Sequence, residues 1–144
     1  MNGTLYAGGN KGEGVYKLVG DTWVAAGTDL PANIDIYSLS YVDGTLYAAA
    51  EGGEGVYKRV GDTWEAAGTG LPAGSQFYAL LNVGGTLYAG GDRGLFILKG
   101  DRFLKVNNSA YPGMQVVSLL SYTHNGVNSL VTGTDSGVFF NTLN

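Results

Sequence analysis

No cysteine occurs among the 144 residues. Disulfides, thiol nucleophiles and thiolate metal sites are therefore excluded, while the compartment stays open because a well-packed secreted domain can do without bridges. Histidine appears once, as His124 beside Asn125-Gly126 in an expected turn. A zinc site would have to be made of carboxylates, with no ligand spacing to suggest one, and a Ser-His-Asp arrangement has no motif behind it. Charge is also sparse, at 14% of residues against about 25% in an average soluble domain. The eight basic residues are scattered over a chain of net charge -4, so there is no electrostatic footprint for phosphates and nucleic acid is not an expected partner. No stretch approaches the roughly 18 apolar residues of a membrane span, and no basic and apolar leader opens the chain. Neither a membrane association nor a cofactor is expected: Gly8-Gly9-Asn10-Lys11-Gly12-Glu13-Gly14 lacks the phosphate-loop signature and precedes a strand, so it reads as a hairpin loop.

Glycine, by contrast, is abundant, with 25 copies where an average composition holds about 7%. It falls in register. Gly3-Thr4-Leu5-Tyr6-Ala7 returns as Gly44-Thr45-Leu46-Tyr47-Ala48 and as Gly85-Thr86-Leu87-Tyr88-Ala89, at steps of 41 residues. Gly14-Val15-Tyr16-Lys17 likewise matches Gly55-Val56-Tyr57-Lys58, Gly20-Asp21-Thr22-Trp23 matches Gly61-Asp62-Thr63-Trp64, and Leu30-Pro31 matches Leu71-Pro72. The third unit keeps the pattern after a two-residue shortening, with Phe103 in the tryptophan position. Residues 1-144 thus form one repeat array, with units starting near Gly3, Gly44 and Gly85 and a partial unit near Ser129.

Each unit predicts four short strands, because segments rich in β-branched and aromatic residues alternate with Gly, Asp, Asn and Pro at strand-length spacing. In the second unit they run over Ile36 to Val42, Thr45 to Ala49, Gly55 to Val60 and Thr63 to Ala67. Asp43-Gly44 is a type I′ hairpin signal, and Gly61-Asp62 a similar polar turn. Helix is not expected, since the longest stretches free of Gly and Pro, Ala32 to Asp43 and Met114 to Asn125, are rich in Ile, Val, Ser and Tyr.

Four antiparallel strands per unit of about 40 to 45 residues predict an all-β β-propeller, whose four-stranded blades pack face to face around an axis. Both faces of a blade are then buried, consistent with runs such as Leu95-Phe96-Ile97-Leu98 and Val116-Val117-Ser118-Leu119-Leu120. A β-trefoil is the alternative by length, against which the fourth partial unit and the loop spacing count.

The run from Gly3 through the Gly20-Asp21-Thr22-Trp23 and Leu30-Pro31 segments resembles the sialidase-type, Asp-box-like blades of bacterial propellers, with the Asp-box shortened to Val19-Gly20-Asp21-Thr22-Trp23 and Val60-Gly61-Asp62-Thr63-Trp64. The resemblance implies that the inner strand is the segment from Tyr37 to Asp43, followed outward by the Thr-Leu-Tyr, Gly-Val-Tyr and Thr-Trp strands. The chain then holds fourteen strands, three and a half blades: three, two sets of four, and three. Two copies are expected to form a homodimer that completes one ring of seven or eight blades, since partial blades leave edges open.

Catalysis is not expected. Sialidase-like chemistry would need an arginine cluster, and Arg59, Arg93 and Arg102 stand at unrelated repeat positions. Asp21, Asp62 and Asp101 recur once per unit in turns, which accounts for them without a glycosidase pair. Trp23 and Trp64 offer two readings, as platforms for sugars or as anchors of an outer strand between blades. The pairs Asp21 with Trp23 and Asp62 with Trp64 are the candidate ligand site. The leading expectation is a non-enzymatic scaffold that self-assembles into a ring, a fragment or engineered descendant of a natural propeller. A lectin-like module binding carbohydrate or protein is the alternative.

Overall fold

The computed structural model describes residues 3–106 and 114–143. Fourteen strands lie in four antiparallel sheets, and no helix occurs among the described residues. The first sheet holds β1 (Tyr6–Gly8), β2 (Val15–Val19) and β3 (Thr22–Ala25). The second holds β4 (Asp35–Val42), β5 (Thr45–Glu51), β6 (Val56–Val60) and β7 (Thr63–Ala66). The third holds β8 (Phe77–Val83), β9 (Thr86–Gly91), β10 (Gly94–Lys99) and β11 (Arg102–Lys105), and the fourth β12 (Val116–His124), β13 (Val127–Thr134) and β14 (Gly137–Leu143). Within each sheet consecutive strands are neighbours, and no sheet closes into a barrel, which leaves the trefoil without support.

The turns explain the topology. Asp43 and Gly44 adopt φ of 46° and 87°, and Asn125 and Gly126 adopt 50° and 78°. Positive φ at both central residues is what a type I′ hairpin requires, and its twist matches that of the strands. Gly61 has φ of 60° while Asp62 does not turn positive, so this second kind of hairpin is type II′, with glycine at its first central position.

The first strand of each of the last three sheets, β4, β8 and β12, carries a β-bulge near its start, where the register jumps from Ile36 to Ser38, from Phe77 to Ala79 and from Val116 to Ser118. The extra residues, Tyr37, Tyr78 and Val117, lie outside the ladder.

The sheets stack face on face, giving three cores. Val15, Ile36, Leu46 and Trp64 belong to the core between the first and second sheets. Val56, Phe77, Leu87 and Phe103 belong to that between the second and third, and Leu95, Val116 and Leu130 to that between the third and fourth. These are the same repeat positions each time. Close approach is built in: a Cβ on Gly8 would lie 2.5 Å from Ile36 Cγ2, and one on Gly90 would lie 2.4 Å from Val116 Cγ1. After β3 and after β7 the chain crosses to the next sheet and forms a parallel bridge there, Thr28 with Thr63 and Thr69 with Arg102.

The run from Val116 to Leu120 corrects one expectation. Only Val116 is fully buried, while Val117 and Leu120 are 47% and 59% exposed. No sheet covers the far face of the fourth sheet among the described residues, and along β12 only Val116 is buried and Leu119 half-buried.

Candidate functional site

The Gly-Asp-Thr-Trp segments form the hairpins into β3 and β7, and the structure separates the two copies. Trp64 is 3% exposed. Its indole N–H donates to the Ala26 carbonyl across the sheet boundary at 2.8 Å. The chain passes close enough at Gly27 (φ 111°) that a Cβ there would lie 2.8 Å from the indole nitrogen. Neither ring face of Trp64 is open to a sugar, so the proposed pairing of Asp62 with Trp64 as a platform does not fit this placement. Asp62 instead turns outward and makes an exposed ion pair with Arg59 at 3.2 Å, an interaction of little energetic weight. Trp23 remains 45% exposed. It borders an open groove of about 300 Å³ shared with Ala7, Gly9, Glu13 and Tyr16. Asp21 is exposed in the adjoining turn.

A second cluster was not singled out by sequence reasoning. The bulged tyrosines Tyr37 and Tyr78 meet edge to face, with ring centroids 5.5 Å apart. The Tyr37 hydroxyl donates to the Glu51 carboxylate at 2.8 Å and the Tyr78 hydroxyl to Gln76 Oε1 at 2.7 Å. Asp92 accepts from the Gln76 main-chain N–H at 2.9 Å. The hydrogen bond to Glu51, followed by burial and the charges of Glu51 and Asp35, raises the Tyr37 phenol above its ordinary value. Burial, then the charges of Asp92 and Glu51, does the same for Tyr78. Both phenols are thus held as neutral donors at physiological pH, suited to hydrogen bonding and not to nucleophilic attack. The 41-residue spacing of Tyr37 with Tyr78 and of Glu51 with Asp92 was the available signal. It was masked because the bulge that turns these tyrosines out of the ladder leaves no mark in composition.

His124 ends β12 and stacks on Tyr122 at 6.0 Å. Among the described residues no group of three or more His, Cys, Asp and Glu side chains could hold a metal ion.

The largest anomaly lies at the two ends of the stack. Val15, Val56 and Leu95, on the faces that point toward the following sheet, are 4%, 1% and 1% exposed, and their fourth counterpart Val138 is 64% exposed. On the opposite faces Leu46, Leu87 and Leu130 are 6%, 2% and 2% exposed, whereas their first counterpart Leu5 is 57% exposed. Around Val138 stand Leu120 and Phe140, and near Leu5 stands Trp23, all exposed. A position that is buried wherever a neighbouring sheet exists is therefore open wherever one does not.

These features define an all-β protein of repeated antiparallel sheets. No family model matches the chain and no curated protein matches it. Among solved structures it is similar to one described as the extracellular domain of a hybrid two-component system from B. thetaiotaomicron. That match has a TM-score of 0.75 and 20% sequence identity over 97% of this chain. The chain spans only 20% of the length of that one, and a likeness at this identity establishes the fold alone.

Proposed function

We propose that the protein is a non-enzymatic β-propeller scaffold, its four sheets being consecutive blades of a ring that a second copy completes. The observation that carries this reading is the paired exposure of Val138 and Leu5. The forward face of the last sheet and the rear face of the first are the two faces that meet three times within the chain. One copy's last sheet stacking on another's first continues the same contact, and a two-fold axis then closes eight sheets without leaving an apolar face open. Contiguous exposed apolar faces of this kind mark interaction surfaces.

Light scattering on a size-exclusion column tests the assembly. A particle of twice the chain's 15.0 kDa is expected, and a stable single-chain particle would end the proposal.

A lectin-like second reading is favoured by the Tyr37, Glu51, Tyr78 and Asp92 cluster, where aromatic edges and neutral phenol donors stand beside carboxylates at one end of the sheets. A glycan array compared between the protein and its Tyr37→Ala variant separates it from the scaffold reading.

A further inference from the structure

The second and third sheets leave open a space that the first and second sheets fill with an arginine. Arg59 of β6 reaches back toward the first sheet, where one guanidinium nitrogen lies 3.5 Å from the Tyr6 hydroxyl and another 3.2 Å from the Asp62 carboxylate. Its side chain is 16% exposed, so the guanidinium is largely buried at that boundary. One boundary further on, Leu98 of β10 stands at the repeat position of Arg59. Its side chain is shorter and uncharged, and a cavity of about 210 Å³ remains there, lined among others by Asp43, Tyr47, Gly85, Leu87, Leu98 and Gly100.

The acceptors that serve Arg59 are repeated although the cation is not. Tyr47 occupies the position of Tyr6, and Asp101, in the turn that begins at Gly100, occupies that of Asp62. Asp43 adds a further acceptor. Its carboxylate leans across the boundary onto the third sheet, so that a Cβ on Gly85 would lie 3.2 Å from its Oδ2. Neither Asp43 nor Asp101 makes an ion pair among the described residues. Leu98 packs with Tyr47 against the core between the two sheets. Lys99, next along β10, therefore points to the opposite face, because successive side chains of a strand alternate.

We infer that this cavity binds a guanidinium group on an aliphatic stem, which enters from solvent past the exposed turn residues Asp43, Gly85 and Gly100. A guanidinium presents several N–H donors in one planar fork, and the phenol oxygen of Tyr47 with the carboxylates of Asp43 and Asp101 offers it acceptors of matching charge. The chemistry of the occupant is read from the chain itself, which already places a guanidinium in the matching space one boundary earlier. Size agrees with this. A cavity of about 210 Å³ falls below the roughly 300 Å³ at which pockets for drug-sized ligands begin, and so suits a single group the size of a side-chain head. A free alkylguanidine and an arginine exposed on another protein share this chemistry. The cavity lies between two sheets of one chain, so the inference holds or fails separately from the ring.

The probe is butylguanidinium, titrated into the full chain and followed by amide NMR spectra. Saturable shifts centred on Gly85, Leu98 and Gly100 are expected, with butylammonium binding about fivefold or more weakly because it lacks the planar fork. Asp43→Asn should weaken binding about fivefold, the worth of one exposed ion pair. It leaves the hairpin intact, since Asn125 holds the same turn position with φ of 50°. Tyr47→Phe removes one acceptor and should weaken binding about two- to tenfold. Leu98→Arg, which puts the chain's own guanidinium into the cavity as Arg59 does one boundary earlier, should abolish binding while the unfolding midpoint stays in place or rises. Shifts that do not saturate or that scatter over the surface overturn the proposal, as does undiminished affinity in both Asp43→Asn and Tyr47→Phe. A blocked Gly-Arg-Gly peptide separates the two sources. Binding as tight as that of butylguanidinium assigns an arginine of another protein, exclusion of the peptide assigns a free small molecule, and both support the site.

Discussion

The indole of Trp64 is anchored to the carbonyl of Ala26, 38 residues earlier in the chain and on the preceding sheet. A ring that is 3% exposed and hydrogen-bonded across the boundary joins two sheets by both burial and direction. Trp64→Ala is expected to cost about 3–5 kcal/mol, the usual range for removing a buried large aromatic. Trp64→Phe, which keeps most of the apolar area but leaves the Ala26 carbonyl without its donor, should cost about 1–3 kcal/mol. Urea denaturation followed by circular dichroism measures both. Equal losses for the two variants would mean that the hydrogen bond, and not the packing, dominates.

Gly27 and Gly20 separate two reasons for glycine. A side chain at Gly27 would meet the Trp64 indole nitrogen at 2.8 Å and the Asp62 carbonyl oxygen at 3.0 Å, on a backbone with φ of 111°. Gly20 has φ of 60° and open space around it. Gly20→Ala should therefore cost only the left-handed backbone penalty of about 1–2 kcal/mol. Gly27→Ala adds an overpacking cost of about 1–3 kcal/mol and should be the more damaging by chemical denaturation.

The strands and their turns could be read from the sequence because Gly, Asp and Asn recur where hairpins demand positive φ, and aromatic and β-branched residues fill the intervals. The environment of each repeat could not. Gly20-Asp21-Thr22-Trp23 and Gly61-Asp62-Thr63-Trp64 are identical in sequence, yet Trp23 is 45% exposed and Trp64 is 3% exposed. The difference lies entirely in whether another sheet precedes the strand. The bulges were hidden for a related reason: an extra residue such as Tyr37 or Tyr78 is a choice of register between two strands, and neither strand carries it alone.

Alkaline pH should destabilise the fold. The phenols of Tyr37 and Tyr78 are raised by the Glu51 hydrogen bond and by burial respectively, and burial also raises that of Tyr57. Above the ordinary tyrosine value of about 10 the unfolded chain loses protons that the folded chain keeps. Stability is then fully present below pH about 10 and falls as pH rises through the folded values. Denaturation midpoints at pH 9 and pH 11 should show the drop, with a smaller one in Tyr37→Phe. A flat profile would mean that these phenols ionise alike in both states.

A charge placed on either open end of the stack should break self-association without unfolding the chain. Val138 and Leu5 are 64% and 57% exposed, so Val138→Lys and Leu5→Lys remove no buried contact within the chain. Their unfolding midpoints should shift by no more than about 0.5 kcal/mol, as surface substitutions do. Stacked against another copy, the same lysine would be an unpaired buried charge, so each single variant should run as one 15.0 kDa chain. Val56→Lys is the internal comparison. It occupies the repeat position of Val138 at 1% exposure and should unfold the protein, because its neighbouring sheet is always present. If the parent protein associates and both surface variants associate equally well, the faces that meet between copies are not these two, and the ring built on them is wrong.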